Sequence, residues 1–168
     1  RAMHAFGEQS SNSSALSSNG IGFAYQTSDL AATLGYADFK SSTGLQLKAY
    51  VGGVSNKFGT TKLSLTYGSH EAETTATTKT KNTTVGLGAT VPLNANVDLI
   101  LTHYRVNRSQ TAKADDGYNR SIAFMEYKLS GRTKLYAELD NTSWKPGYVT
   151  AGLPSSAKGL SLGLLHTF

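Results

Sequence analysis

The chain has 168 residues and no cysteine, with 16 Lys+Arg against 11 Asp+Glu and a formal net charge of +5. That length suits one domain over residues 1–168, and the missing cysteine removes disulfide and thiolate chemistry while fitting a periplasmic or outer-membrane setting. The basic excess is spread without a Lys/Arg cluster, which argues against a nucleic-acid partner.

Charged residues make up 16%, against ~25% in ordinary soluble domains, while Gly (17) and Tyr (9) are plentiful. With many Ser and Thr, this composition suits an all-β chain. No apolar run of ~18 residues is present to form a transmembrane helix, which says nothing against barrel strands and their weak alternating signal. The chain opens Arg1-Ala2-Met3-His4 without an apolar leader. Either a signal has been removed or the sequence begins partway through a protein.

In chain order, Ala2–Phe6 reads as the tail of a strand, followed by a Ser/Asn-rich loop from Gly7 to Asn19. Gly20–Gln26 alternates, with Ile21, Phe23 and Tyr25 on one face. Thr27-Ser28-Asp29 turns the chain into a face of Leu30, Ala32, Leu34 and Tyr36. After Lys40–Gly44, the spacing predicts Leu45, Leu47, Ala49 and Val51 on the apolar face and Gln46, Lys48 and Tyr50 opposite. Ser55–Gly59 is the next expected turn, leading to Leu63, Leu65 and Tyr67.

Ser69–Asn82 is polar and reads as a connection. Val85, Leu87, Ala89, Val91 and Leu93 then alternate with small residues, and Asn94-Ala95-Asn96 turns into Val97, Leu99 and Leu101. Asn107–Gly117 reads as a charged loop. In Tyr118–Leu129 the apolar face is Ala123, Met125, Tyr127 and Leu129, although Ile122 and Phe124 sit opposite. Ser130-Gly131-Arg132-Thr133 turns into Leu135, Ala137 and Leu139. Asn141–Lys158 is the longest expected connection, and Gly159–Phe168 the last strand.

Helical periodicity is absent throughout, so the fold class is all-β. Turns near Thr27, Asn56, Asn94 and Gly131 are tight, whereas those near Ser42, Glu73, Ala112 and Gly152 are longer or more charged. Membrane barrels show that asymmetry, with short periplasmic turns and longer extracellular loops. The apolar faces are nearly free of charge, with tyrosines near strand ends, as a membrane wall and its interfaces require. In a barrel the opposite face lines the lumen; in a soluble sandwich it meets solvent. Alternation alone does not separate these two.

The ending Gly163-Leu164-Leu165-His166-Thr167-Phe168 resembles the last strand of Gram-negative porins of the betaproteobacterial and neisserial type. The stretch Tyr127–Ala137 is similar to that family's late strand-turn-strand. The resemblance implies a transmembrane antiparallel β-barrel, of which about nine full strands and the tail of a tenth are present here. By the resemblance the chain would be the carboxy-terminal half or more of a barrel of ~16–18 strands. Residues 1–19 would hold a strand tail and an extracellular loop. The acidic third loop of such porins has no counterpart in this chain.

By that resemblance the function is passive diffusion of ions and small hydrophilic solutes through a water-filled pore, with mild anion preference from the basic sum. The partners implied are outer-membrane lipid, lipopolysaccharide and two further copies in a homotrimer, with no cofactor. Lys48 and Lys62 are the candidate wall bases, Glu138 and Asp140 their counter-charges, and Arg120 a further lining residue. Phe168 and His166 would mark the seam read during assembly. Two other readings stand beside this one: a small eight-stranded barrel serving as anchor or adhesin, and a soluble all-β binding module. No enzyme is expected. His4, His70, His103 and His166 lack metal-ligand spacing, and no nucleophile, phosphate-loop or HExxH motif occurs.

Overall fold

The computed structural model describes residues 1–7, 15–149 and 153–168. Its elements are β1 (Ala2–Ala5), β2 (Ser18–Gln26), β3 (Leu30–Lys40), β4 (Gln46–Phe58), β5 (Thr61–Glu73), β6 (Lys79–Pro92), β7 (Val97–Gln110), β8 (Asp116–Lys128), β9 (Thr133–Trp144) and β10 (Ser156–His166). All ten form one sheet in sequence order, each strand antiparallel to the next. Among the described residues no strand pairs β1 with β10, so the sheet is open. Ten strands in an unclosed sheet do not make the eight-stranded barrel considered from sequence. Most of the expected loop at 7–19 lies outside the described residues, as do 150–152 of the expected connection Asn141–Lys158, whose two ends belong to β9 and β10.

The tight turns are built by their first polar residues. Thr27 Oγ1 accepts from the amides of Asp29 and Leu30, Asn94 Oδ1 from Asn96 and Val97, and Ser130 Oγ from Arg132 and Thr133. These side chains stand in for a backbone acceptor and reverse the chain cheaply. Between β4 and β5 the job falls to Gly59, whose φ of 61° is open to glycine at no steric cost. The turn is therefore at Gly59-Thr60, later than the expected Ser55–Gly59.

Two expected loops are mostly strand. β5 and β6 extend through Glu73 and from Lys79, leaving 74–78 as the connection; β7 and β8 extend to Gln110 and from Asp116, leaving 111–115. These ends carry no apolar stripe because both of their faces are wet, so alternation does not reveal them. Ladder hydrogen bonds and charge pairs such as Lys79–Glu71 (3.2 Å) hold them instead. At 14 residues each, β6 and β7 are longer than the ~9–11 that a tilted strand needs to cross a bilayer.

β4 faces the other way from expectation. Tyr50, Gly52 and Val54 pair with Tyr36, Leu34 and Ala32 and so share the apolar face; Leu47, Ala49 and Val51 lie opposite. In its middle, from Ala49 to Val54, both faces of this strand are apolar or small, so the pattern there cannot choose a register. Packing chooses it: the Tyr36 and Tyr50 rings meet at 4.9 Å, and Leu34 lies close above Gly52. On β8 the expected facing holds, with Met125 and Tyr127 opposite Ala137 and Leu135.

The sheet has no second layer. Among the described residues Ala15 is the sole buried apolar side chain, while Leu34 is 67% and Leu162 73% exposed. A soluble sandwich would cover such a face, so the apolar surface has to meet something other than water. The pairing rows also run oblique to this apolar band. Tyr25, beside a tight turn, shares a row with Ala32, Val54, Leu65, Leu87, His103, Ser121, Asn141 and finally Lys158, at the opposite end of β10 from Phe168. That stagger is what tilted strands need in order to curl into a barrel.

Candidate functional site: the polar face

Cross-strand partners project to the same side, so the register assigns every side chain to a face. The face opposite the apolar band carries Lys57, Lys62, Arg120, Glu138 and Asp140. Lys48 leaves this set. Its row runs Asp38, Lys48, Glu71, Lys81 on the side of Tyr50 and Tyr67, at the strand ends away from the tight turns. The later turn is what brings Lys57 in, opposite Lys62. Placing the turn at Ser55–Gly59 hides this lysine from sequence reading.

Two halves of the polar face differ in charge. On β7 to β9 the bases stand beside acids: Arg120 Nη2 lies 3.4 Å from Asp140, Lys128 2.7 Å from Asp98, and Lys134 2.9 Å from Glu126. Arg108 donates twice to Asp116, from Nε at 2.7 Å and Nη2 at 2.8 Å. Glu138 makes no ion pair among the described residues. On β2 to β6 the polar face contains no Asp or Glu at all. It offers Lys57 and Lys62, without an acidic partner among the described residues, and rows of hydroxyls: Thr33, Ser55, Ser64, Thr66 and Thr90.

Glycines let the polar side chains lie flat. Thr66 and the Tyr104 ring fill the place of a side chain at Gly86, Ser64 that of Gly88, and Asp140 that of Gly159. The Phe124 and Tyr136 rings stack at 5.4 Å between these polar groups.

Asp116 stands at the strand end above the apolar band, 4% exposed. Hydrogen bonds from Arg108 hold its carboxyl below the ordinary range, against the opposing push of burial. Tyr148, from the segment after β9, covers Arg108 with its ring centroid 4.4 Å from the guanidinium carbon, and Lys145 Nζ donates to Asn107 Oδ1 at 2.9 Å. Residues 145–149 are thus fastened to the rim at Arg108 and Asn107. Neither Arg108 nor Asp116 stood out in the sequence, because their strand ends lack apolar alternation. At the other end of the sheet His166 Nδ1 lies 2.8 Å from Thr133 Oγ1, and its ring meets Phe168 edge-on at 4.8 Å. Phe168 itself is fully exposed.

A single-layer antiparallel meander, apolar and uncovered on one side, polar on the other and staggered along its rows, is the wall of a transmembrane β-barrel. A family model described as Gram-negative porin matches residues 1–145, and the chain belongs to that family. Its place is the outer membrane of a Gram-negative bacterium. The match includes the segment before Gly20 and stops short of β10, the strand on which the sequence resemblance is most specific.

Among solved structures, an anion-selective porin from Comamonas acidovorans is similar with a TM-score of 0.80 and 25% identity, over 98% of this chain and 54% of that one. In-vitro folded OmpT, an outer-membrane protein of Vibrio cholerae, gives 0.75 and 13%, over 98% and 59%. Its trimer form gives 0.66 and 16%, over 89% and 54%. The chain therefore spans little more than half the length of these structures. No curated protein matches the chain in sequence.

Proposed function

We propose that the complete protein is a channel, and not an enzyme, through which ions and small hydrophilic solutes diffuse passively with a preference for anions. A water-filled lumen removes the cost of moving a charge through hydrocarbon, which is prohibitive for an unpaired ion. Charges on the wall then bias which sign enters. The observation that carries this reading is the unmatched charge on the polar face: Lys57 and Lys62 against Glu138. Lys62, Arg120, Glu138 and Asp140 line the wall in this reading, joined by Lys57. The similar Comamonas protein is described as anion-selective, which agrees in sign.

The assembly is a homotrimer, in line with the trimer form described for the Vibrio protein. Lys48 and Lys81, above Tyr50 and Tyr67 on the outer side, meet lipid and lipopolysaccharide headgroups, where amphipathic rings and bases belong. Phe168 and His166 act in assembly, as the exposed end of the final strand. The test is a planar-bilayer recording of the full-length protein across a KCl gradient. A reversal potential on the anion side is expected; a membrane that stays silent rules the channel out.

A further inference from the structure

We infer that the inner wall over β3 to β6 contains a binding subsite for oxyanions of the phosphate or carboxylate class, formed by Lys57 and Lys62 with the hydroxyls of Ser55, Ser64 and Thr90. Its placement inside a pore rests on the channel reading above, whereas binding at the site does not.

Lys57 and Lys62 are direct cross-strand partners. Like charges so placed, with Cβ atoms ~4.5–5.5 Å apart, repel, and a carboxylate nearby ordinarily relieves them. Here none does. The nearest acid by backbone connection is Asp29, whose carbonyl accepts the Lys57 amide at 2.9 Å while its carboxylate takes the Ser28 hydroxyl at 3.2 Å. The other ion pairs of this face lie on β7 to β9.

The surroundings supply the remaining groups. Ser55 pairs with Ser64 in the next row, and Thr90 stands opposite Lys62. Lys62 and these three hydroxyls, with Thr33 and Thr66, line one concavity of about 320 Å³ over the small floor of Gly53. Ammonium groups only donate, and hydroxyls can rotate to donate, so the set has more donors than acceptors. A cation finds no carboxylate there. A solute with several acceptor oxygens satisfies both lysines at once and cancels their repulsion. Weak binding of this kind suits a channel, where a solute has to leave as readily as it enters.

The experiment uses full-length protein folded in detergent, titrated with inorganic phosphate and followed by phosphorus NMR line broadening, with chloride current measured in parallel. Saturable broadening is expected in the wild type. Each lysine offers an oxyanion a charge-assisted hydrogen bond, so Lys57→Gln with Lys62→Gln should weaken binding by about tenfold or more. Lys62→Arg should keep it, and Lys81→Gln on the outer side should leave it unchanged. The single Lys57→Gln and Lys62→Gln changes, each checked for heat-resistant gel mobility, serve if the double variant does not fold. No saturable broadening in the wild type overturns the site, as does equal broadening in the double or folded single variants. A protein that conducts without binding phosphate keeps the channel and loses the subsite. One that binds through these lysines without conducting does the reverse.

Discussion

The ring of Tyr136 on β9 occupies the space that a side chain at Gly163, its cross-strand partner on β10, would need. Phe124 on β8 stacks on the same ring at an interplanar angle of 21°. A glycine that packs poorly in a strand is covered by a neighbour's aromatic face, which ties the last three strands together.

Gly163→Ala should therefore displace the ring and cost about 1–3 kcal/mol, as overpacking does. Tyr136→Ala should absorb most of that loss when the two are combined. A double-mutant cycle on urea unfolding from vesicles reads the coupling. Additive losses would show that the ring and the glycine are independent.

The rim contact between Arg108 and Asp116 predicts a local effect. Asp116→Asn removes the charge from a two-bonded pair, at a cost of ~1.5–3 kcal/mol, and loosens residues 145–149 where Tyr148 covers the guanidinium. The Tyr148 amide, bonded to the Lys145 carbonyl at 2.9 Å, should exchange about tenfold faster or more. The rest of the sheet should keep its protection.

The same pair has a pH signature. The Asp116 carboxyl titrates lower in the folded protein than its ordinary 3.8. Its contribution is then fully present above 3.8 and is lost as pH falls through the lower folded value. Protection at Tyr148, corrected for intrinsic exchange, should be flat from neutral pH to about 4 and drop only below it. The Asp116→Asn variant, with no carboxyl to titrate at this position, should show no such drop.

Facing is testable with one new charge. Leu87 is on the apolar side and Thr102 on the polar side of neighbouring strands. Leu87→Lys should cost roughly 2–4 kcal/mol of folding in vesicles, the penalty for a base at the lipid face. Thr102→Lys should fold like the wild type. Equal penalties would contradict the assignment of faces.

Asp140→Asn leaves Arg120 without its carboxylate at 3.4 Å. The full-length variant should shift its reversal potential further to the anion side, with a permeability ratio changed on the order of twofold, because a wall charge acting through water contributes ~1 kcal/mol or less. An unchanged reversal potential would place Arg120 and Asp140 away from the permeation path.

Where the chain alternates cleanly, its elements were legible. Gly20–Gln26, Val85–Leu93, Leu135–Leu139 and the terminal strand carry leucines or aromatics on one face and mostly small or polar residues on the other, and the structure keeps those faces. The turn formers Thr27, Asn94 and Ser130 were legible for the same local reason, since each supplies its own acceptor. Glu73, Lys79, Arg108 and Asp116 were not, because strand beyond the apolar band is polar on both faces and is held by cross-strand pairing. Of the candidate wall residues, Lys62, Arg120, Glu138 and Asp140 lie on the polar face, Lys48 falls on the other side with the register of β4, and Lys57, read from sequence as a turn residue, joins the polar face.

The sequence alone determined that the chain is all-β, that one side of the sheet shuns charge, and that its last strand resembles those of Gram-negative porins. Each follows from alternation, composition or a local motif, and none needs to know which strand lies beside which. The tertiary structure decided the rest: the register of β4, the oblique rows, and the meeting of Lys57 with Lys62 on a face without carboxylates. A strand that is apolar on both sides has two nearly equal registers, and only packing against its neighbours chooses between them. With that choice made, every charge on the wall acquires a side.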